Sequence, residues 1–120
     1  MADFHQNGII TTLHNLGNRS LDEMESELTR FGLERPLGLI LPSLYSEIQT
    51  KALPKIVSDL VQVPYLSQIV VGLDRADEGQ YRHALQFFSA FPQHHRVLWN
   101  DGPRLRAIDS ELEAHGLAPR

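Results

Sequence analysis

The chain has 120 residues, 42% of them hydrophobic and 22% charged, with 11 Lys and Arg against 15 Asp and Glu for a net charge of −4. Such a composition is that of one soluble globular domain and excludes an intrinsically disordered chain. The acidic balance provides no broad basic surface, so neither nucleic acid nor anionic lipid is an expected partner.

No window approaches the roughly 18 to 20 consecutive apolar residues that cross a bilayer. The amino terminus, MADFHQNGII, has no basic segment leading into a long apolar one, so a cytoplasmic address is expected. The absence of Cys removes disulfides, thiolate nucleophiles and Cys-based metal centres from consideration.

In chain order, residues 1 to 18 carry Ile9, Ile10, Leu13 and Leu16 at near-helical spacing, although the β-branched run IITT weakens a helix there. Ser20 with Glu23 three residues on is a capping box. Leu21, Met24, Leu28 and Phe31 follow at helical spacing, and Gly32 is a natural stop, which predicts a helix over about 20–31. LGLIL at 37–41, ended by Pro42, is too short for a helix and suits a strand buried on both faces. Leu53, Ile56, Val57, Leu60 and Val61 mark the next helix, with Pro54 in its first turn and Pro64 beyond its end.

QIVVGL at 68–73 repeats the buried-strand composition. Asp77 with Gln80 then caps a helix carrying Tyr81, Ala84, Leu85, Phe88 and Phe91, stopped by Pro92. RVLW at 96–99 is a further short strand. Asn100, Asp101, Gly102 and Pro103 turn into a last helix with Leu105, Ile108 and Leu112 on its stripe and Gly116 as its stop. The expected fold is therefore α/β: a three-layer, Rossmann-like parallel sheet in the order β-α-β-α-β-α over residues 37–120, preceded by a helical amino-terminal extension over 1–36.

Open parallel sheets bind ligands outside the carboxyl ends of their strands. PSLYSE (42–47), DRAD (74–77) and NDGP (100–103) stand there, and each contains a carboxylate: Glu47, Asp74 and Asp101. Carboxylates accept hydrogen bonds from N–H and hydroxyl donors, such as those of a nucleobase and a ribose, and do not suit bare phosphate. Asp and Asn in such places also serve as turn formers and helix caps. There is no G-x-G-x-x-G and no G-x-x-x-x-G-K-[ST], so neither glycine-rich phosphate cradle is present.

Six His residues are scattered without H-x-H or H-x-x-x-H spacing and are not expected to bind metal. Ser43 has no flanking glycines of a nucleophile elbow. Arg104 could reach a phosphate, whereas Arg106 reads as an exposed face residue. Tyr81, Phe87, Phe88 and Phe91 read as core, and Trp99 as core or as a platform beneath a base.

Residues 38–77, GLILPSLYSEIQTKALPKIVSDLVQVPYLSQIVVGLDRAD, resemble the amino-terminal half of nucleotide-sugar-dependent glycosyltransferases of the GT-A fold. In that family a first strand ends in a Pro-x-x-x-Glu-like motif, a helix beginning Leu-Pro follows, and a second strand ends in Asp. PSLYSE, LPKIV and IVVGLD stand in those places, and within the family the chain is most similar to retaining enzymes of the glucosyl-3-phosphoglycerate synthase type. The resemblance implies that Pro42, Ser43, Leu44 and Glu47 line a nucleoside pocket, that Asp74 contacts the base, and that Asn100 and Asp101 close the pocket. Gly72 and Leu73 precede Asp74 where the family carries a double Asp.

The resemblance also implies a nucleoside-diphosphate sugar and a small polar acceptor as substrates. A divalent metal, Mg or Mn, is implied for the intact enzyme. The family's metal-binding Asp-x-Asp follows a further strand, and no D-x-D occurs in this chain. The sequence is accordingly expected to be the amino-terminal, nucleotide-sugar-binding part of a longer hexosyltransferase, with no catalytic residue assigned. The alternative is a noncatalytic α/β interaction module that self-associates or binds a partner chain through its sheet edge or aromatic seam.

Overall fold

The computed structural model describes residues 19–118. The apolar stripe of Ile9, Ile10, Leu13 and Leu16, and with it His5 and His14, lies outside the described residues. The chain divides into two compact units, Met1–Pro36 and Leu37–Arg120. No helix among the described residues is long and apolar enough to cross a membrane.

In the first unit, α1 (Leu21–Glu34) starts where Ser20 Oγ accepts the Glu23 N–H at 3.1 Å, with Asp22 and Glu23 favourably placed in the first turn. Arg19 pairs with Glu27 at 2.7 Å, and its hydrogen bond holds the Glu27 carboxyl below the usual range. The helix does not stop at Gly32. It runs to Glu34 and ends at Arg35, which is extended (φ −130°) because Pro36 disfavours helical backbone in the residue before it.

The second unit contains β1 (Leu37–Leu44), a 3-10 turn (Tyr45–Gln49), α2 (Ala52–Val61), β2 (Leu66–Asp74), α3 (Glu78–Phe88), β3 (His94–Trp99) and α4 (Pro103–Ala114). The strands are parallel and ordered β1-β2-β3, with Leu41 beside Val71 and Val71 beside Val97. This is the expected α/β sheet with flanking helices. Both crossovers step in the same direction along the sheet, and right-handed connections then place α2 and α3 on one face. Leu53 and Val57 of α2 and Ala84 and Phe88 of α3 accordingly meet Ile69, Val71 and Leu73 of β2, all three of which have no exposed surface.

Only β2 is central. β1 is an edge strand, not one buried on both faces, and Ile40 remains 75% exposed. Nor does Pro42 end it: β1 continues through Pro42, Ser43 and Leu44, which pair with Gly72, Leu73 and Asp74. An edge strand tolerates proline where the missing N–H would point away from the ladder. β3 begins at His94 rather than Arg96, since pairing of His94 and His95 with Gln68 and Ile69 extends it beyond its apolar residues. Gln93 fastens its start by donating from Nε2 to the carbonyls of Leu60 and Val63 at the end of α2 (2.8 and 2.9 Å).

α3 opens with the expected capping box. Asp77 Oδ1 accepts the Gln80 N–H at 2.8 Å and Gln80 Oε1 accepts the Asp77 N–H at 2.9 Å. It closes at Phe88 instead of reaching Phe91, because Ser89 ties its N–H and hydroxyl back to the last turn. Phe91 nonetheless enters the core and stacks on Phe88 with ring centroids 6.0 Å apart. Gly116, at φ +72°, ends α4 as expected, with the Leu117 N–H donating to Leu112 O at 2.9 Å.

Phe88 is fully buried at the meeting point of α3 and β2. Phe88→Ala is expected to destabilise the chain by about 3–5 kcal/mol, the usual cost of a phenyl-sized cavity, measured by urea unfolding.

Candidate functional site

Parallel pairing brings the carboxyl ends of all three strands to one edge of the sheet. A cavity of about 300 Å³ opens there, lined by Pro42, Ser43, Leu44, Glu47, Gly72, Asp74 and Asn100. The register explains the grouping: Pro42 lies beside Gly72 and Leu44 beside Asp74, while the Asn100 N–H donates to Leu73 O at 2.9 Å just past the end of β3. The structure therefore gathers Pro42, Ser43, Leu44, Glu47, Asp74 and Asn100 from the sequence-predicted set and adds Gly72.

Gly72 forms part of the wall between β1 and β3. A methyl group there would sit 3.9 Å from Asn100 Nδ2, so the cavity owes part of its space to the missing side chain. Its signal in the sequence was a lone glycine inside a β-branched run, which marks a close approach or an opening within a strand.

Glu47 projects from the 3-10 turn. Its Oε2 accepts the Leu44 N–H at 2.9 Å and so closes the turn out of β1, while Thr50 Oγ1 donates to the Glu47 carbonyl at 2.7 Å. Asp74 is the last residue of β2, and its Oδ1 accepts the Arg75 N–H at 3.1 Å. Ser43 is buried, and its Oγ has no hydrogen-bond partner among the described residues.

Asp101 stands apart. Its Oδ2 accepts the Ala76 N–H at 3.0 Å, and it lines a neighbouring concavity of about 300 Å³ with Asp74, Arg75 and Asp109 rather than the cavity of Glu47. Arg104 is exposed beside a third, apolar concavity with Val97, Leu98, Leu105 and Ile108, and Arg106 is exposed on α4. Trp99 is half-buried against the core and stacks on Tyr81 with centroids 4.9 Å apart.

The side chains of His83, His95 and His115 serve local contacts. His83 Nδ1 meets Tyr45 Oη at 2.9 Å, His95 Nδ1 donates to Gln93 O and His115 Nδ1 donates to Glu111 O, both at 2.8 Å. Among the described residues no group of three or more His, Asp or Glu is placed to hold a metal ion. The divalent metal implied by the resemblance therefore finds no fitting ligand set in them.

The chain is 47% identical over 116 residues to the glucosyl-3-phosphoglycerate synthase of Persephonella marina, a match that takes in 97% of this chain and 29% of that protein. It is 34% identical over 115 residues to the protein of the same name from Methanococcoides burtonii, covering 96% of this chain and 28% of the relative. The chain thus resembles these synthases along nearly all of its own length and spans under a third of theirs. No protein-family model matches it, and no solved structure gives a significant match.

Glu47 serves both the fold and the cavity. Glu47→Ala is expected to cost about 1 kcal/mol of unfolding free energy through the uncapped Leu44 N–H. Glu47→Gln, which keeps an acceptor, should recover most of it in the same urea titration.

Proposed function

We propose that the Leu37–Arg120 unit is the nucleoside-binding half of a GT-A-type glycosyltransferase. The whole enzyme would move a hexosyl group from a uridine- or guanosine-linked nucleoside-diphosphate sugar to a small polar acceptor such as a glycerate derivative. The single observation that carries this reading is the cavity at the carboxyl edge of the sheet, where Glu47 and Asp74 converge on a floor opened by Gly72. The names of the two relatives, both glucosyl-3-phosphoglycerate synthases, support the choice of a hexosyl group and of a glycerate-type acceptor.

The chemistry of the lining suits a nucleoside. Carboxylate oxygens of Glu47 and Asp74 accept from base N–H groups and ribose hydroxyls, Asn100 both donates and accepts, and Pro42 and Leu44 offer apolar walls to a planar ring. No Lys or Arg lines the cavity among the described residues, so the diphosphate and sugar would extend out of it. In the whole enzyme a divalent metal would offset the charge of the diphosphate, with ligands that the described residues of this chain do not supply. This chain's own residues bind and orient the nucleoside end, which places the scissile bond by holding the donor at a fixed point.

A second reading, the noncatalytic interaction module, draws on the outer edge of β1, which pairs with no other strand among the described residues, and on the exposed Ile40. It expects concentration-dependent self-association in sedimentation and no response to nucleotide.

Titration of the chain with UDP and GDP, followed by amide chemical shifts, separates the two. Weak, millimolar-range binding is expected, with the largest shifts at Leu44, Gly72 and Asp74. Asp74→Ala should abolish it, as should Gly72→Leu, whose side chain would fill the floor. No shift change at millimolar nucleotide overturns the glycosyltransferase reading.

A further inference from the structure

The β2–α3 connection is short. Only Arg75 and Ala76 separate Asp74, the last residue of β2, from Asp77, the cap of α3. Both backbone polar groups of Ala76 are taken by the corner that follows β3. The Ala76 N–H donates to Asp101 Oδ2 at 3.0 Å, and the Ala76 carbonyl accepts from Trp99 Nε1 at 2.8 Å. Between those two residues, the Asn100 N–H donates to Leu73 O at 2.9 Å. Three consecutive residues of one corner therefore grip the segment 73–76 of the other.

The gripping side is itself held. The Trp99 indole stacks on Tyr81 of α3 at 4.9 Å with ring planes 7° apart. Gly102 packs so closely that a Cβ there would meet Trp99 O at 3.0 Å and Trp99 Cε3 at 3.1 Å, so a side chain would press the indole and its carbonyl back by a few tenths of an ångström. On the gripped side, Arg75 takes φ +52°, the only positive φ at a non-glycine among the described residues. A free loop would relax from that conformation, whereas one tied at both ends cannot. The Arg75 N–H in turn donates to Asp74 Oδ1 at 3.1 Å, so the peptide that joins the two residues is one of the holds on the carboxylate.

We infer that Trp99 and Asp101 are positioning residues: by clamping Ala76 they hold the Asp74 carboxylate toward the cavity. The inference rests on the nucleoside-pocket reading above and reassigns Asp101. Its carboxylate acts through Ala76 and does not itself contact the base. Trp99 likewise serves as a donor to the loop and not as a platform beneath the ring.

The test uses the 120-residue chain and three substitutions. Trp99→Phe keeps an aromatic ring on Tyr81 and removes the N–H, Asp101→Ala removes the acceptor, and Asp101→Asn retains one. Three quantities are read: amide hydrogen exchange at Ala76 against Val71 and Phe88, the carboxyl carbon shift of Asp74, and the dissociation constant for UDP and GDP.

Trp99→Phe and Asp101→Ala are expected to speed exchange at Ala76 and to weaken nucleotide binding, each about tenfold, a factor within the reach of one hydrogen bond, neutral for Trp99 and charge-assisted for Asp101. Both should move the Asp74 carboxyl shift while Val71 and Phe88 stay protected, and Asp101→Asn should return all readings close to wild type. Unchanged exchange at Ala76, an unmoved Asp74 shift, or a loosened loop with unaltered affinity would each overturn the inference. A loss of affinity in Asp101→Asn with exchange at Ala76 intact would also overturn it, by showing direct contact. If the wild-type chain binds neither nucleotide, the pocket reading falls, and the exchange and carboxyl shift still decide whether the clamp sets Asp74. Should Asp101→Ala fail to fold, Trp99→Phe carries the same comparison.

Discussion

The parallel pairing of β2 between β1 and β3 is the constraint on which the rest of this unit depends. A strand flanked on both sides must satisfy its backbone through both neighbours, and every second side chain, Ile69, Val71 and Leu73, is then forced into a layer that water does not reach. The hand of parallel crossovers turns the strand order into a choice of face, so α2 and α3 are committed to that same layer. The core is one-sided as a result. Ile40 and Leu98, on the two outer strands, are left exposed.

The same pairing creates the candidate site. Because the strands run together, their carboxyl ends lie on one edge, where the ladder stops and backbone groups need new partners. The acidic side chains at that edge divide the labour. Asp77 is spent on the cap of α3, Asp101 on the Ala76 amide, and Glu47 shares itself between the Leu44 amide and the cavity. Asp74 stands at the cavity with one oxygen on its neighbour's amide. Residue type alone does not separate these roles, since a carboxylate that ends a turn and one that reads a ligand use the same lone pairs.

Stiffness and openness sit side by side at this edge. Gly72 and Gly102 are both glycines without positive φ, and they serve opposite ends: the first leaves a wall open, the second lets a helix start press against an indole. The strained Arg75 lies between the two corners, where pinned backbone is compatible with a function that needs a carboxylate in one orientation.

Much of this was legible in the amino-acid order. The Ser20 cap, the Asp77–Gln80 capping box, the apolar stripes of α2 and α3, and Gly116 as a stop depend on groups within a turn of one another, and local chemistry determined them. The meeting of Glu47 and Asp74 was legible as well once parallel strands were recognised, because strand ends in such a sheet must meet, whereas Pro42, Ser43 and Leu44 came with the family resemblance. Where local rules erred, a longer-range partner overruled them. Gly32 failed to stop α1 before Pro36 did, and Pro42 failed to end β1 because pairing with β2 carried the strand on along a sheet edge. What only the tertiary structure decided is which carboxylate faces the cavity and which fastens a loop. Asp101 finds Ala76 25 residues back along the chain, and a hydrogen bond across that distance exists only after the strands between have paired.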